Sequence, residues 1–357
     1  MRNAQPLPAV PPMSDAVDIV AMRIWQRAAA VDDAACFPAD DIADLADNGL
    51  LGSADLPLDA GALDRLATIG SASLTVGRLF EGHLNAVKLV SRYGSEAVSA
   101  ILAAEAAAGR ISGVWNAERG GGVTATRVAG GYRLAGGKVY CSGAGSVRRP
   151  VVNARVDSDT LMLLPDLTDP AMRIDLTLWR AAGMRGTATG SVSFYGVYVP
   201  DAAVIGRAGD YYRSPWFSGG AWRVLAVQRG ALDRIMALHA ERLRADDPVF
   251  RARFAVAAGA HESARLLVAE AARRAETGGA PDAIDAYVDL ARATFETAAL
   301  TVIEMTRRNI GLSSFIAPDP LDRVIRDLET YLRQPFLDAS RDHAARWLAS
   351  RGGRFDA

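Results

Sequence analysis

The sequence predicts an α+β protein built as three successive parts: an N-terminal helical domain, a central β domain and a C-terminal helical bundle. Three observations carry this reading. Alanine- and leucine-rich runs dominate up to Gly109, an alternating apolar pattern punctuated by glycine and proline takes over from Ile111 to about Gly206, and a long apolar stripe at helical spacing follows beyond Ala221. The expected boundaries are a leader over 1–13, helices over 14–110, strands over 111–206 and the bundle over 207–357. A chain of 357 residues is longer than one minimal core requires, which suits several parts or one large fused body.

The leader, "MRNAQPLPAVPPM", is proline-rich and expected to be disordered, and it lacks the apolar centre of a secretion signal. Helices are expected in "DAVDIVAMRIWQRAAAV", "ADDIADLADNGL" and "SEAVSAILAAEAAAG", with Ser95 capping the start of the last and Gly109 ending it. In "TATRVAGGYRLAG" the alternation breaks at Gly130 and Gly131, read as a two-residue hairpin loop; Gly136 and Gly137 are read as a second reversal before Lys138. Later strands include "TLMLLPDL" and "GSVSFYGVYVP", where Val192, Phe194 and Val197 alternate with smaller or polar neighbours and Pro200 closes the run. The strongest periodicity is that of Ile284, Val288, Ala291, Phe295, Ala298, Val302 and Met305, which step by four and three. With Pro281 at its first turn and Gly311 at its exit, this stretch reads as one long helix packed along its length in a bundle.

Composition narrows the function. With 40 basic and 41 acidic residues the net charge is −1, so no global field draws nucleic acid or anionic membrane, and any bound anion must be gripped locally. No window reaches the roughly 18 consecutive apolar residues of a membrane span, and a soluble, cytoplasmic protein is expected. The two cysteines, Cys36 and Cys141, are too few for a disulfide framework and lack metal-ligand spacing.

Several familiar chemistries fail on their own motifs. His83, His239, His261 and His343 are scattered, and "HESAR" at His261 ends in arginine where a zinc-protease helix needs a second histidine, so no metal site is expected. There is no G-x-S-x-G elbow, and Ser146 in "GAGSV" has no adjacent base. Gly120 to Gly122 lead into an alternating strand rather than a helix, which removes the helix N-terminus that a dinucleotide fingerprint needs at the pyrophosphate. The pairs Arg148–Arg149 and Arg307–Arg308 read as solvated surface.

Two stretches carry a family resemblance. "GVWNAERGGGVTATRVAGGYRLAGGKVYCSGAG" has an acid-containing loop, glycines, a hairpin, the words matching "gyvLnGxK", and a strand ending in an aromatic, an aliphatic-like and a hydroxyl residue. "GMRGTATGSVSFYGVYVP" follows "GmrgtxsgxvxFxdVxVP" almost word for word. Together with the order helix, strand, helix, these stretches resemble the acyl-CoA dehydrogenase family of flavoproteins from about Ser14 to Pro335. The resemblance implies a β-barrel or sandwich centre, a C-terminal four-helix bundle, FAD as cofactor, and a homodimer or homotetramer acting on a small-molecule substrate, an acyl-CoA or carrier-bound acyl group. By resemblance Trp115, Ala117, Glu118, Tyr140, Cys141 and Ser142 occupy the places that hold the isoalloxazine, whose acceptor-rich edge suits backbone donors. "RLRADDPV" resembles the family's R-x-x-F-G-x-P-I, which implies that Arg242 grips the FAD pyrophosphate of a neighbouring subunit, a task suited to a guanidinium. Gly311 in "RRNIGLSSF" stands for the glycine-rich turn near the adenine.

The sequence departs from the family at the base. Abstraction of an α-proton requires a carboxylate, yet the eighth position after Asp327 of the Arg326–Asp327 pair is Pro335, and the alternative site on the first bundle helix is Gly220 or Ala221. Glu81 and His83 in "RLFEGHLNA" are the replacement candidates, with Asn85 able to orient a carbonyl. The resemblance therefore implies either α,β-dehydrogenation of an acyl thioester with a relocated base, or N-, S- or C-hydroxylation by a flavin monooxygenase on the same fold, which needs no such base. A non-catalytic helical interaction protein is the third reading.

Overall fold

The computed structural model describes residues 16–52 and 60–355; the proline-rich leader expected over 1–13 lies outside them. The helical first part consists of α1 (Ala16–Ala34), α2 (Ala39–Asp47), α3 (Ala60–Ala72), α4 (Leu74–Tyr93) and α5 (Glu96–Ala107). Two of these helices begin on serines whose hydroxyls accept a backbone N–H three residues on: Ser73 from Val76, and Ser95 from Val98. Helix α5 ends as expected, with Gly109 in the left-handed region at φ +71°. Helix α4 is buried almost all round, from Leu74 and Val76 through Phe80 to Val90, and it forms the floor of the molecule's main cavity.

The strands are β1 (Val114–Trp115), β2 (Glu118–Val128), β3 (Gly131–Cys141), β4 (Val151–Val156), β5 (Asp159–Leu163), β6 (Arg173–Asp175), β7 (Gly190–Ser193), β8 (Tyr198–Pro200) and β9 (Val204–Ile205). They form one sheet in the order β6-β7-β3-β2-β4-β5-β9, with β1 added on β4 and β8 added on β3. The β2–β3 hairpin pairs Val128 with Gly131, so the loop is Ala129–Gly130, one residue earlier than expected. Only Gly130 takes a positive φ, +73°, whereas Gly131 is a strand residue whose missing side chain lets β8 approach: a Cβ there would lie 2.2 Å from the Val199 carbonyl oxygen. The reversal expected at Gly136–Gly137 does not occur. Strand β3 runs straight through, and Gly136, at φ +105°, accommodates the bulged β2 segment, whose Gly122 carbonyl oxygen would lie 1.9 Å from a Cβ.

The third part comprises the short α6 (Trp216–Gly219), then α7 (Trp222–Ala240), α8 (Pro248–Thr277), α9 (Pro281–Ile310), α10 (Pro320–Tyr331) and α11 (Leu337–Ala349). The stripe along α9 faces the core: Ile284, Val288, Ala291, Phe295, Ala298 and Val302 are buried and Met305 is half-buried. Helices α8 and α9 pack along each other, α7 and α10 complete the bundle, and α11 lies on α9. Helix α7 also packs on α3 and α4; Gly230 of α7 sits against the Ala67 carbonyl and Gly70 of α3 against that of Val227, contacts that any side chain would block.

Candidate active site

A cavity of ≈ 1520 Å³ opens where the end of β3 and the loop before β2 meet α4, α7 and the segment joining α10 to α11. It exceeds the roughly 300–1,000 Å³ of ordinary small-ligand pockets, so a large cofactor and a substrate fit together. Its sheet side is built on unusual backbone. Tyr140, Met184 and Ala188 are non-glycine residues at φ +53°, +58° and +44°; Tyr140 and Met184 line the cavity, and Ala188 lies between two lining residues, Thr187 and Thr189. The two segments are stitched together by Gly143 N–H to the Thr187 carbonyl (2.8 Å) and Ala144 N–H to that of Ala188 (3.1 Å).

The Arg326–Asp327 pair docks this wall onto the bundle. Asp327 accepts the Met184 backbone N–H at 2.6 Å, and Arg326 donates to the Ala182 carbonyl at 2.6 Å and to Asp32 of α1 at 2.8 Å. Burial pushes the Asp327 carboxyl up to about 6. Gly183 beside it has no room for a side chain, its Cβ position lying 2.1 Å from the Arg326 carbonyl oxygen. The "GMRGT" stretch and the arginine-aspartate pair, 143 residues apart at the Met184–Asp327 hydrogen bond, are thus two halves of one joint.

The structure brings some of the expected site residues together and separates others. Ala117, Glu118, Tyr140 and Ser142 line the cavity, and Tyr140 holds its ring 62% exposed there. Glu118 is paired with the buried Lys138 at 2.5 Å; burial pulls the Lys138 ammonium below its ordinary range. Trp115 and Cys141 belong to the core as side chains: the Trp115 indole N–H donates to the Ser142 carbonyl at 3.1 Å, and burial pushes the Cys141 thiol up to about 12. Glu81 and His83, neighbours in sequence, point to different places. Glu81 is on the cavity wall, wholly buried, accepting from Arg78 and from the Asn85 amide. His83 is absent from that wall, with its Nε2 3.2 Å from the Leu51 carbonyl and its Nδ1 accepting the Ser112 N–H at 2.9 Å; burial holds its pKa at about 4. Arg242 and Gly311 also lie off the wall, and Arg242 is held at 3.1 Å by both oxygens of Asp319 in its own chain.

Pro335, Gly220 and Ala221 are all on the cavity wall. The positions where the resemblance would put a catalytic carboxylate therefore face the ligand space and carry none. The wall instead holds residues that motif reading passes over: Arg78, Lys88, Arg92, Arg223, Glu276 and Tyr331. Five α4 side chains, at 78, 81, 85, 88 and 92, step by three and four, a pattern indistinguishable in sequence from a solvated face. The Tyr331 hydroxyl is buried on this wall beside the Arg78 guanidinium. Among the described residues, no group of three or more His, Cys, Asp or Glu could hold a metal ion, and no helix is long and apolar enough to cross a membrane.

Residues 219–335 match the family model described as acyl-CoA dehydrogenase, C-terminal domain. Nearly the full length superposes on glutaryl-coenzyme A dehydrogenase in complex with glutaryl-CoA, with 18% identity, 97% of this chain and 98% of the other covered, and a TM-score of 0.81. The chain has the acyl-CoA dehydrogenase fold. The same fold is shared by FMN-bound TdsC, a dibenzothiophene monooxygenase from Paenibacillus sp. A11-2, with 19% identity, coverage of 94% and 97%, and a TM-score of 0.85. Methanesulfinate monooxygenase MsuC from Pseudomonas fluorescens matches with 16% identity, coverage of 96% and 98%, and a TM-score of 0.81. No curated protein matches the chain in sequence. In this fold the sheet-to-bundle cavity is lined by the exposed aromatic of Tyr140 and by Ser142, while the Thr187 hydroxyl donates to the Met184 carbonyl at 2.8 Å and bonds the Thr189 hydroxyl at 2.8 Å.

Proposed function

We propose that the protein is a flavin-dependent oxidoreductase that holds FAD or FMN in the sheet-to-bundle cavity and oxygenates a small substrate there. The observation that carries the choice of reaction is the composition of the wall: Pro335, Gly220 and Ala221 supply no base, while Glu81 is already engaged by Arg78 and Asn85. Such a site is poorly equipped to take an α-proton and is suited to chemistry that does not require one. A bound flavin would supply a hydride acceptor when oxidised and electrons for dioxygen when reduced. The chain's own groups bind and orient: Tyr140 and Ser142 border the ligand space on the sheet side, and Trp179 and Met184 line it.

A second reading, α,β-dehydrogenation of an acyl thioester, is favoured by one observation: Glu81 is a wholly buried carboxylate on the same wall and could serve as a relocated base. The two are separated by supplying reduced flavin with oxygen and an aromatic thioether, amine or indole, and by adding acyl thioesters anaerobically to the oxidised holoprotein. Substrate-dependent oxygen uptake with a hydroxylated or S-oxidised product supports the first; bleaching of the flavin by a thioester, with no such product, sinks it in favour of the second. A cytoplasmic homodimer or homotetramer belongs to this reading, supported by the exposed Leu312, Phe315 and Ile316 beside Gly311, and light scattering of the purified protein tests the assembly.

A further inference from the structure

Helix α4 turns a polar face inward. Arg78, Glu81, Asn85, Lys88 and Arg92 all line the cavity, where Arg223 of α7 and Glu276 of α8 join them. Glu81 answers Arg78; Glu276 answers Lys88 at 3.1 Å and Arg223 at 3.4 Å, and Arg223 also donates to the Asn85 carbonyl oxygen. Arg92 has neither a hydrogen bond nor an ion pair among the described residues; its guanidinium carbon sits 3.2 Å above the centre of the Trp216 ring. Among these groups of α4, α7 and α8, four cations face two carboxylates; over the whole cavity wall, seven cations face five. Burial pulls the Arg92 and Arg223 guanidinium groups below their ordinary range, against the opposing pull of Glu276. Placed over the Trp216 ring, the Arg92 guanidinium keeps N–H donors unspent, and a guanidinium fork recognises carboxylate and phosphate. Next to it, Tyr212 and Phe217 pack edge to face at 5.0 Å between ring centres and present apolar surface to the cavity.

We propose that Arg92, seated on Trp216, is an oxyanion-binding site that takes a carboxylate or phosphate carried by the substrate, with the substrate's apolar body against Tyr212 and Phe217. This inference rests on the flavin reading only in calling the ligand the substrate. The residues that border the expected flavin ring, Ala117, Glu118, Tyr140 and Ser142, stand on the sheet, whereas Arg92 stands at the far end of α4 beside α6.

The test is calorimetric binding of 2-naphthoate, 1-naphthyl phosphate and neutral 2-naphthamide to the full chain, with and without saturating FMN or FAD. One charge-assisted hydrogen bond predicts that at least one of the two anions binds about tenfold or more tightly than the amide. Arg92→Met should erase that preference, and Arg92→Lys, which keeps the charge without the fork, should retain only part of it. Equal binding of anions and amide to the native protein overturns the proposal, as does a preference that survives Arg92→Met. A loss of flavin affinity in Arg92→Met with naphthoate binding unchanged also overturns it, by giving the site to the flavin phosphate. A protein that binds no flavin yet prefers the anions through Arg92 would instead end the flavin reading and leave the oxyanion site standing.

Discussion

Replacing Glu81 by glutamine separates a structural carboxylate from a catalytic one. The Glu81 side chain is 0% exposed and its partner Arg78 is 24% exposed, so the substitution leaves a largely buried guanidinium without its counter-charge. Asn85 cannot rotate to help: its amide N–H donates to Glu81 while its carbonyl oxygen accepts from Arg223, which fixes the orientation. A glutamine at 81 has one acceptor for two donors, so one of them loses its partner. Breaking a buried pair costs about 3–5 kcal/mol, and the residual exposure of Arg78 puts this case at the lower end, about 3 kcal/mol. The assay is urea unfolding of the native protein, Glu81→Gln, Arg78→Met and the double variant, whose cycle should give a coupling of about 2 kcal/mol or more. In the oxygenation reading Glu81→Gln also lowers kcat less than about tenfold, whereas a base would cost roughly 100- to 10,000-fold. A destabilisation under about 1 kcal/mol with no coupling would refute the reading of this pair.

Three more outcomes follow from the same geometry. Cys36 is exposed while the buried Cys141 thiol is pushed up to about 12, so a thiol reagent at pH 8 should titrate one thiol per native chain and two after denaturation. Gly136→Ala forces a Cβ against the Gly122 carbonyl at φ +105° and should cost at least about 2 kcal/mol in unfolding midpoint terms, whereas Gly120→Ala, at φ +64° in open space, should cost about 1 kcal/mol. Burial lowers His83 and His239 from 6.5 to about 4, so each contributes stability that is present above pH 6.5 and lost as pH falls through 4, on the order of 3 kcal/mol per site. Asp327, raised to about 6, acts in the opposite sense: its contribution is present below pH 3.8 and is lost as pH rises through 6. The check is therefore made with His83→Gln and His239→Gln, each of which should flatten the stability curve between pH 4 and 6.5.

What was legible in the sequence was whatever depends on neighbours along the chain. Ser95 and Gly109 bound α5, and the 284–305 stripe lies within a single helix, because capping and periodicity are local. Glycines were harder. Gly131 and Gly136 carry the local signature of turn residues, yet both serve close approach of another strand, which only the pairing of β3 with β8 and with bulged β2 reveals. Polar partners were not legible at all: His83 meets a carbonyl 32 residues away, Arg242 meets a carboxylate 77 residues away, and Arg326 reaches Asp32 across 294 residues. The inward polar face of α4 carries the same spacing as an outward one, and only the packing of α7 and the sheet around it turns it into a cavity wall. Pro335 was informative in both views, since the absent carboxylate in the sequence is an absent carboxylate on the wall.

Whether the cavity holds a flavin is decided by anaerobic titration of the full chain with oxidised and with reduced FMN and FAD, followed by visible spectroscopy and flavin fluorescence. Saturable, stoichiometric binding of at least one of these forms is expected, weakened tenfold or more when Thr189 on the cavity wall is replaced by tryptophan in a variant that stays folded. A folded native protein that binds neither flavin in either redox state would contradict it.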